Sequence, residues 1–147
     1  MARTAERLHA ASSPAPVEII RRGATTAAEL RGVDFSRPID PTTAAAVYDA
    51  RVEHKVVYFR DVNITPEQHV AFGRLFGELT VPPFVPHLDG YPEILVLDNH
   101  KDNPVFTTDV WHSDETFRAT PPMGPILRCI RTRVGRRHGV GGHVRRL

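Results

Sequence analysis

The run Asp109-Val110-Trp111-His112-Ser113-Asp114-Glu115-Thr116-Phe117 places an imidazole and a carboxylate two positions apart. Side chains at i and i+2 of a strand share a face, so on a strand His112 and Asp114 converge. One neutral imidazole and one carboxylate are two members of a 2-His-1-carboxylate triad. That set binds Fe(II) on one face and leaves the opposite positions open for a cosubstrate and O2. The geometry asks for a second His from a distant strand. Taken alone, a His-x-Asp spacing also arises by chance, and its plain reading is a surface ion pair. Trp111, on the opposite strand face, reads as a packing residue.

The other candidate donors carry weaker signals. His54, His69, His87 and His100 fall at helix ends and in loops, where an imidazole is ordinarily solvated or satisfies a turn. His138 and His143 sit among glycines and arginines, with no strand pattern to fix them as ligands. The single cysteine, Cys129, excludes an internal disulfide framework and any multi-cysteine zinc or iron–sulfur site. Its neighbours Ile126, Leu127 and Ile130 predict a buried, inert thiol.

The elements that position these residues follow from local pattern. Residues 1–16 are rich in Ala, Ser and Pro, without period, and read as a mobile arm. From Val17 to Asp40, Glu18-Ile19-Ile20 and Ala28 to Phe35 alternate apolar and polar residues as half-buried strands do. Asp40-Pro41 is a helix start, an N-cap followed by Pro at the first helical position, and predicts a helix carrying Ala44 to about Glu53. Lys55 to Arg60 is a β-branched and aromatic run short enough for a buried strand. Thr65-Pro66-Glu67-Gln68 is a capping box with Pro in the first turn; Val70, Ala71, Leu75 and Phe76 supply an apolar stripe that Gly77 ends. Residues 80–92 hold four prolines and read as loop, 93–99 as a strand, and 100–104 as a turn. A strand over 108–117, a proline-marked bend at 121–125 and a last strand over 126–130 complete the expectation.

Composition fits one ordinary domain: 147 residues, 41% hydrophobic and 24% charged. No eighteen-residue apolar run and no secretory-type N-terminal stretch occur, so a cytoplasmic protein without membrane partners is expected. The net charge of +2 is unevenly placed. Residues 1–130 hold 13 Lys/Arg against 17 Asp/Glu, whereas residues 131–147 hold six Arg, four Gly and no acid. An Arg/Gly tail is the composition of an electrostatic arm for nucleic acid, and equally of a disordered segment.

Three stretches in order, FRDVNITPEQHVAFGRLFGEL, PHLDGYPEILVLDN and DVWHSDETFRATPPMGPILRC, closely resemble the taurine dioxygenase (TauD/TfdA) family of Fe(II)- and 2-oxoglutarate-dependent dioxygenases. The resemblance runs from Val17 to Ile130. It implies an α+β fold, namely a double-stranded β-helix (jelly-roll barrel) with flanking helices, here incomplete. It implies that His112 and Asp114 are iron ligands and that 2-oxoglutarate is a cosubstrate. It further implies that O2 drives oxidative decarboxylation to succinate, coupled to attack on a substrate C–H bond. No residue is assigned to 2-oxoglutarate binding beyond the metal. The family places substrate contacts in the proline-rich loop, which brings forward His87, and Thr108 stands where taurine-specific members carry an Asn. Those members also show His-Pro-Val-Tyr-Pro-His where this chain has Pro82-Pro83-Phe84-Val85-Pro86-His87. Polar partners for taurine are therefore lacking, and the expected substrate is another small organic acid: a sulfonate, a sulfate ester or a carboxylate.

Family members are roughly twice as long, and the distal His and the Arg that pairs with 2-oxoglutarate come from their second half. The expectation is thus a domain of residues 17–130 that is the first half of such an enzyme. On its own it is expected to be inactive, with open strand edges that favour association or aggregation. Residues 131–147 are expected to be an aberrant tail, disordered and out of frame. With permitted codons for Arg136 to Leu147, a reading one nucleotide later gives Gly-Asp-Thr-Val-Trp-Ala-Asp-Met-Ser-Ala-Ala, which restores the family motif. Two other functional classes compete with the enzyme reading: a nucleic-acid-binding protein using the basic tail, and a non-catalytic remnant of the domain.

Overall fold

The computed structural model describes residues 16–82, 85–97 and 115–130. Its elements run β1 (Glu18–Arg21), β2 (Ala28–Arg31), α1 (Pro41–His54), β3 (Val57–Tyr58), α2 (Pro66–Arg74), β4 (His87–Leu88) and β5 (Tyr91–Leu95). Strands β1, β2 and β3 form one mixed sheet in that order. β1 pairs with β2 antiparallel, Ile19 opposite Leu30, and β2 pairs with β3 parallel, Ala28 opposite Val57. A parallel pair needs a crossover, and α1 supplies it.

Local chemistry sets both helices as expected. The Asp40 carboxylate accepts from the Thr43 backbone N–H at 3.0 Å and from the Thr43 hydroxyl at 2.7 Å, and Pro41 opens α1. The helix closes at Lys55, which has a positive φ (65°, with ψ −38°) and donates its N–H to the Arg51 carbonyl at 2.8 Å. Thr43, Val47, Ala50 and His54 are its buried residues, spaced by four, three and four so that they line one face. In α2 the capping box is complete: the Thr65 hydroxyl accepts from the Gln68 N–H, and the Gln68 side chain accepts from the Thr65 N–H at 2.8 Å.

The apolar stripe of α2 differs from the one expected. Val70 is buried, but Ala71 and Leu75 are exposed, and the helix ends before Gly77. The inward set is His69, Phe72, Gly73 and Phe76, an i, i+3, i+4, i+7 series. Phe72, 3% exposed, meets Phe35, Phe59 and Phe76 edge-to-face, with ring centroids 5.1, 6.1 and 5.1 Å away. These rings join Ala28, Leu30, Val47, Ala50 and Val57 in the core between the mixed sheet and the two helices.

Several expectations are corrected. β2 is not half-buried: Ala28, Glu29 and Leu30 are all enclosed, because side chains close over both of its faces. The buried run at 55–60 contributes a two-residue ladder, with Phe59 packed in the core beyond it. The proline-rich stretch holds a hairpin, β4 to β5, turned at Asp89-Gly90 where Gly90 has φ 78°. Its second strand starts at Tyr91, two residues before the strand expected at 93. Glu115–Phe117 is a turn and not the end of a strand, and Glu115 has φ 51°. The last strand is absent: residues 126–130 have no regular structure, and Cys129 is exposed. Ile126 alone of its apolar residues packs against the core, so the segment has one inward anchor and no ladder. The described elements are α+β; the closure of a barrel lies beyond them. The tail at 131–147 and the arm through residue 15 also lie outside the described residues.

Candidate active site

His112 and Asp114, with Trp111, Thr108 and His100, lie outside the described residues, as do His138 and His143 of the tail. Among the described residues no group of three or more His, Cys, Asp or Glu could hold a metal. The donor chemistry of the metal reading therefore rests on sequence: one imidazole and one carboxylate, the types that Fe(II) takes in a facial set.

The described residues flank that stretch on both sides, with β5 before it and the turn at Glu115 after it. β5 is tied to α2 by the Arg74 guanidinium on the Glu93 carboxylate at 3.0 Å and by the Tyr91 hydroxyl, which donates to the Glu67 carboxylate. The Glu115–Arg118 turn closes with the Arg118 N–H on the Glu115 carbonyl at 3.0 Å and an ion pair of the two side chains at 2.5 Å. Both flanks are thus fixed by local contacts.

His87 is half-buried at the start of β4. Its Nε2 lies 2.7 Å from the Pro82 carbonyl, and since a carbonyl only accepts, Nε2 carries the proton and donates. The bond joins two positions five apart, and Nδ1 makes no hydrogen bond among the described residues. His69 is not at a helix end but within α2. It donates from Nε2 to the Ile126 carbonyl at 3.2 Å, and its pKa is held below the ordinary value chiefly by burial, with Arg128 adding to the effect against the carbonyl bond. His54 is not solvated: it is 6% exposed and completes the inner face of α1.

A charged cluster that sequence reasoning missed surrounds Glu29. Its carboxylate, 1% exposed, accepts from Arg31 Nε at 2.8 Å, from Arg22 Nε and Nη2 at 3.0 and 2.5 Å, from Arg60 Nε at 3.3 Å and from the Tyr58 hydroxyl at 3.3 Å. Those bonds, the one from Arg31 foremost, hold its pKa down to about 2 against the cost of burial. A carboxylate on a strand flanked by arginines was the available signal, but only the fold shows that Arg22 and Arg60 reach it. Arg31 and Arg60 border a cavity of about 320 Å³ that Gly32, Val33, Phe35, Phe59 and Val62 also line.

Comparison with known proteins bears on the flanked stretch. The family model for taurine catabolism dioxygenase TauD, TfdA family, matches residues 19–143. The chain belongs to the TauD/TfdA family. The match takes in most of the Arg- and Gly-rich tail as well as His112 and Asp114. Over 104 residues this TauD/TfdA chain is 36% identical to an alpha-ketoglutarate-dependent sulfate ester dioxygenase of Pseudomonas putida, a stretch covering 70% of this chain and 34% of that protein. It is 35% identical over 104 residues to an alkylsulfatase of Acinetobacter baylyi (strain ATCC 33305 / BD413 / ADP1), covering 70% of this chain and 32% of that protein. The chain thus matches about a third of the length of these curated relatives. A crystal structure assigned as an alpha-ketoglutarate-dependent taurine dioxygenase from Burkholderia xenovorans superposes with a TM-score of 0.52 at 35% identity, covering 57% of this chain and 32% of that one. The fold around the mixed sheet and helices is therefore of the TauD type. No helix among the described residues is long and apolar enough to cross a membrane.

Proposed function

We propose that the protein is an Fe(II)- and 2-oxoglutarate-dependent dioxygenase of a small organic sulfate ester, built on a jelly-roll barrel, with His112 and Asp114 as two of the three iron ligands. The observation that carries this is the Trp111-His112-x-Asp114 motif within a chain of the TauD/TfdA family. Iron with 2-oxoglutarate supplies the oxidation of a C–H bond by O2, with the 2-oxo acid leaving as succinate and CO2. This chain's own residues hold and orient. On a strand, an imidazole and a carboxylate two apart would present their donors together, and one neutral with one anionic donor would leave a dication with one unit of positive charge to attract an anionic cosubstrate. His87, braced on the Pro82 carbonyl, offers Nδ1 on the substrate side, and Thr108 is the second candidate there.

The choice of sulfate ester over taurine has two supports: the relatives named for sulfate esters and alkyl sulfates, and Pro82 and Thr108 standing where taurine-specific members carry polar partners. Hydroxylation of the carbon bearing the ester oxygen gives a product that collapses to an aldehyde and bisulfate. One O2 and one 2-oxoglutarate are consumed, with one succinate and one CO2 formed. The test is incubation with Fe(II), 2-oxoglutarate and a short alkyl sulfate, run on these 147 residues, for which little turnover is expected alone, and on a protein that joins them to the second half of a TauD/TfdA relative. Equal release of succinate and inorganic sulfate, abolished in Asp114→Ala, supports the reading. Succinate release coupled to taurine and not to the alkyl sulfate overturns the substrate class. Turnover unaffected by Asp114→Ala overturns the ligand assignment.

A further inference from the structure

A cavity lies between β2 and the residues after β3, and none of its lining residues belongs to the metal motif. Its wall is of two kinds. Leu30, Val33, Phe35, Phe59 and Val62 line it with apolar residues, and Glu29, Arg31, Arg60 and Asp61 line it with charged ones. Glu29 occupies the Nε edge of both arginines, and Arg60 gives Nη2 to the Tyr58 hydroxyl at 3.4 Å. Both terminal nitrogens of Arg31 and the Nη1 of Arg60 bond no described residue. A guanidinium whose Nε is already fixed is held in direction, so an incoming acceptor need not freeze it. Three arginines around one carboxylate leave positive charge in excess. Asp61 also lines the cavity and opposes an anion there, yet it forms no ion pair with either arginine among the described residues.

We propose that this cavity binds a small organic anion, a sulfate or carboxylate head on a short apolar tail. The head lies on the terminal nitrogens of Arg31 and Arg60, and the tail on Phe35, Phe59 and Val62. The volume, about 320 Å³, is at the lower end of what small-molecule sites use, and the wall is polar and apolar in near-equal measure, which suits a ligand with a charged head and an apolar tail. Charge-assisted bonds to the head give orientation, and the apolar wall selects against a bare inorganic ion. Glu29 is a positioning residue here: it also lines the cavity, but its carboxylate oxygens are taken up by the arginines that it holds in place.

The site shares no residue with the metal motif, so its test is run on the full chain kept metal-free with chelator. Hexyl sulfate is titrated by calorimetry and by amide NMR, with inorganic sulfate and hexanol as comparisons. Saturable one-to-one binding of hexyl sulfate is expected, with shifts at the Gly32 and Val33 amides and weaker binding of both comparison compounds. Arg60→Gln, a change at a mostly exposed side chain, is expected to weaken binding about tenfold, the value of one charge-assisted bond. Asp61→Asn is expected to tighten it, and Asp114→Ala to leave it unchanged. Affinity equal in Arg60→Gln and wild type, absence of shifts at Gly32 and Val33, or loss of binding in Asp114→Ala each overturns the proposal. The Asp114→Ala arm separates its failure from failure of the dioxygenase reading, which does not depend on this cavity.

Discussion

Glu29 is enclosed yet ionised, and three guanidinium groups explain why. Its pKa of about 2 lies below the ordinary 4.5, so the stability it contributes is complete above about pH 4.5 and is lost as the pH falls toward 2. Glu29→Gln is expected to lower the urea midpoint at pH 7 and to flatten its fall between pH 4.5 and 2. An equally steep acid limb in the variant would mean that other carboxylates carry it. His69 has the opposite chemistry with the same sign. Burial keeps its imidazole below the ordinary 6.5, so its contribution is whole above pH 6.5 and declines as the pH drops beneath that value. In an NMR titration His69 should titrate below 6.5, and Arg128→Gln should raise its midpoint; a wild-type midpoint at or above 6.5 contradicts the packing of α2 on residues 126–128. Residue types and spacing bring His112 and Asp114 forward as a pair of candidate donors, which lie outside the described residues. Glu29 was not legible, since Arg22 and Arg60 lie 7 and 31 positions away and only the turn after β1 and the β2–β3 ladder bring them in.

At the level of elements, the start signals of both helices could be read directly because each is written within four residues. Thr65→Ala removes one half of the capping box and is expected to cost about 1 kcal/mol of unfolding free energy, read from denaturant midpoints. The inward face of α2 was harder. Ala71 and Leu75 are as apolar as Phe72, and only the meeting with Phe35 and Phe59 decides which side turns in. Phe72→Ala empties the centre of that ring cluster and is expected to cost about 3–5 kcal/mol, enough to leave a small domain largely unfolded. A loss below 1 kcal/mol would show that the cluster is not the joint between α2 and the sheet. The apolar run at 126–130 was misread for a physical reason: β-propensity reflects the surface a strand packs on, and no described strand pairs with this one.

For the molecule as a whole, the two proposed iron ligands, His112 and Asp114, set the expectation for metal. A site with two protein donors should yield Fe(II) to a competing chelator, and equilibrium dialysis of the 147-residue chain should show weak retention. Tight one-to-one binding lost in His143→Ala but kept in His138→Ala would place the third donor in the tail. The gene offers a separate check on residues 136–147: codons that give Gly-Asp-Thr-Val-Trp-Ala-Asp-Met one nucleotide later support a shifted frame, and incompatible codons remove it.

The way residues 121–130 are held has a consequence for motion. The Arg51 Nη2 donates to the Met123 carbonyl at 2.5 Å, His69 to the Ile126 carbonyl and the Arg128 Nη2 to the Asn63 side chain at 3.3 Å. These three ties are made by side chains, and residues 121–130 belong to no described ladder. Amide hydrogens there have no ladder to protect them and should exchange with D2O far faster than those inside α1 and α2. Opening this strap would break these side-chain bonds and withdraw Ile126 while leaving the ring cluster intact, so a protease should cut between 121 and 130 under conditions where the rest of the fold survives.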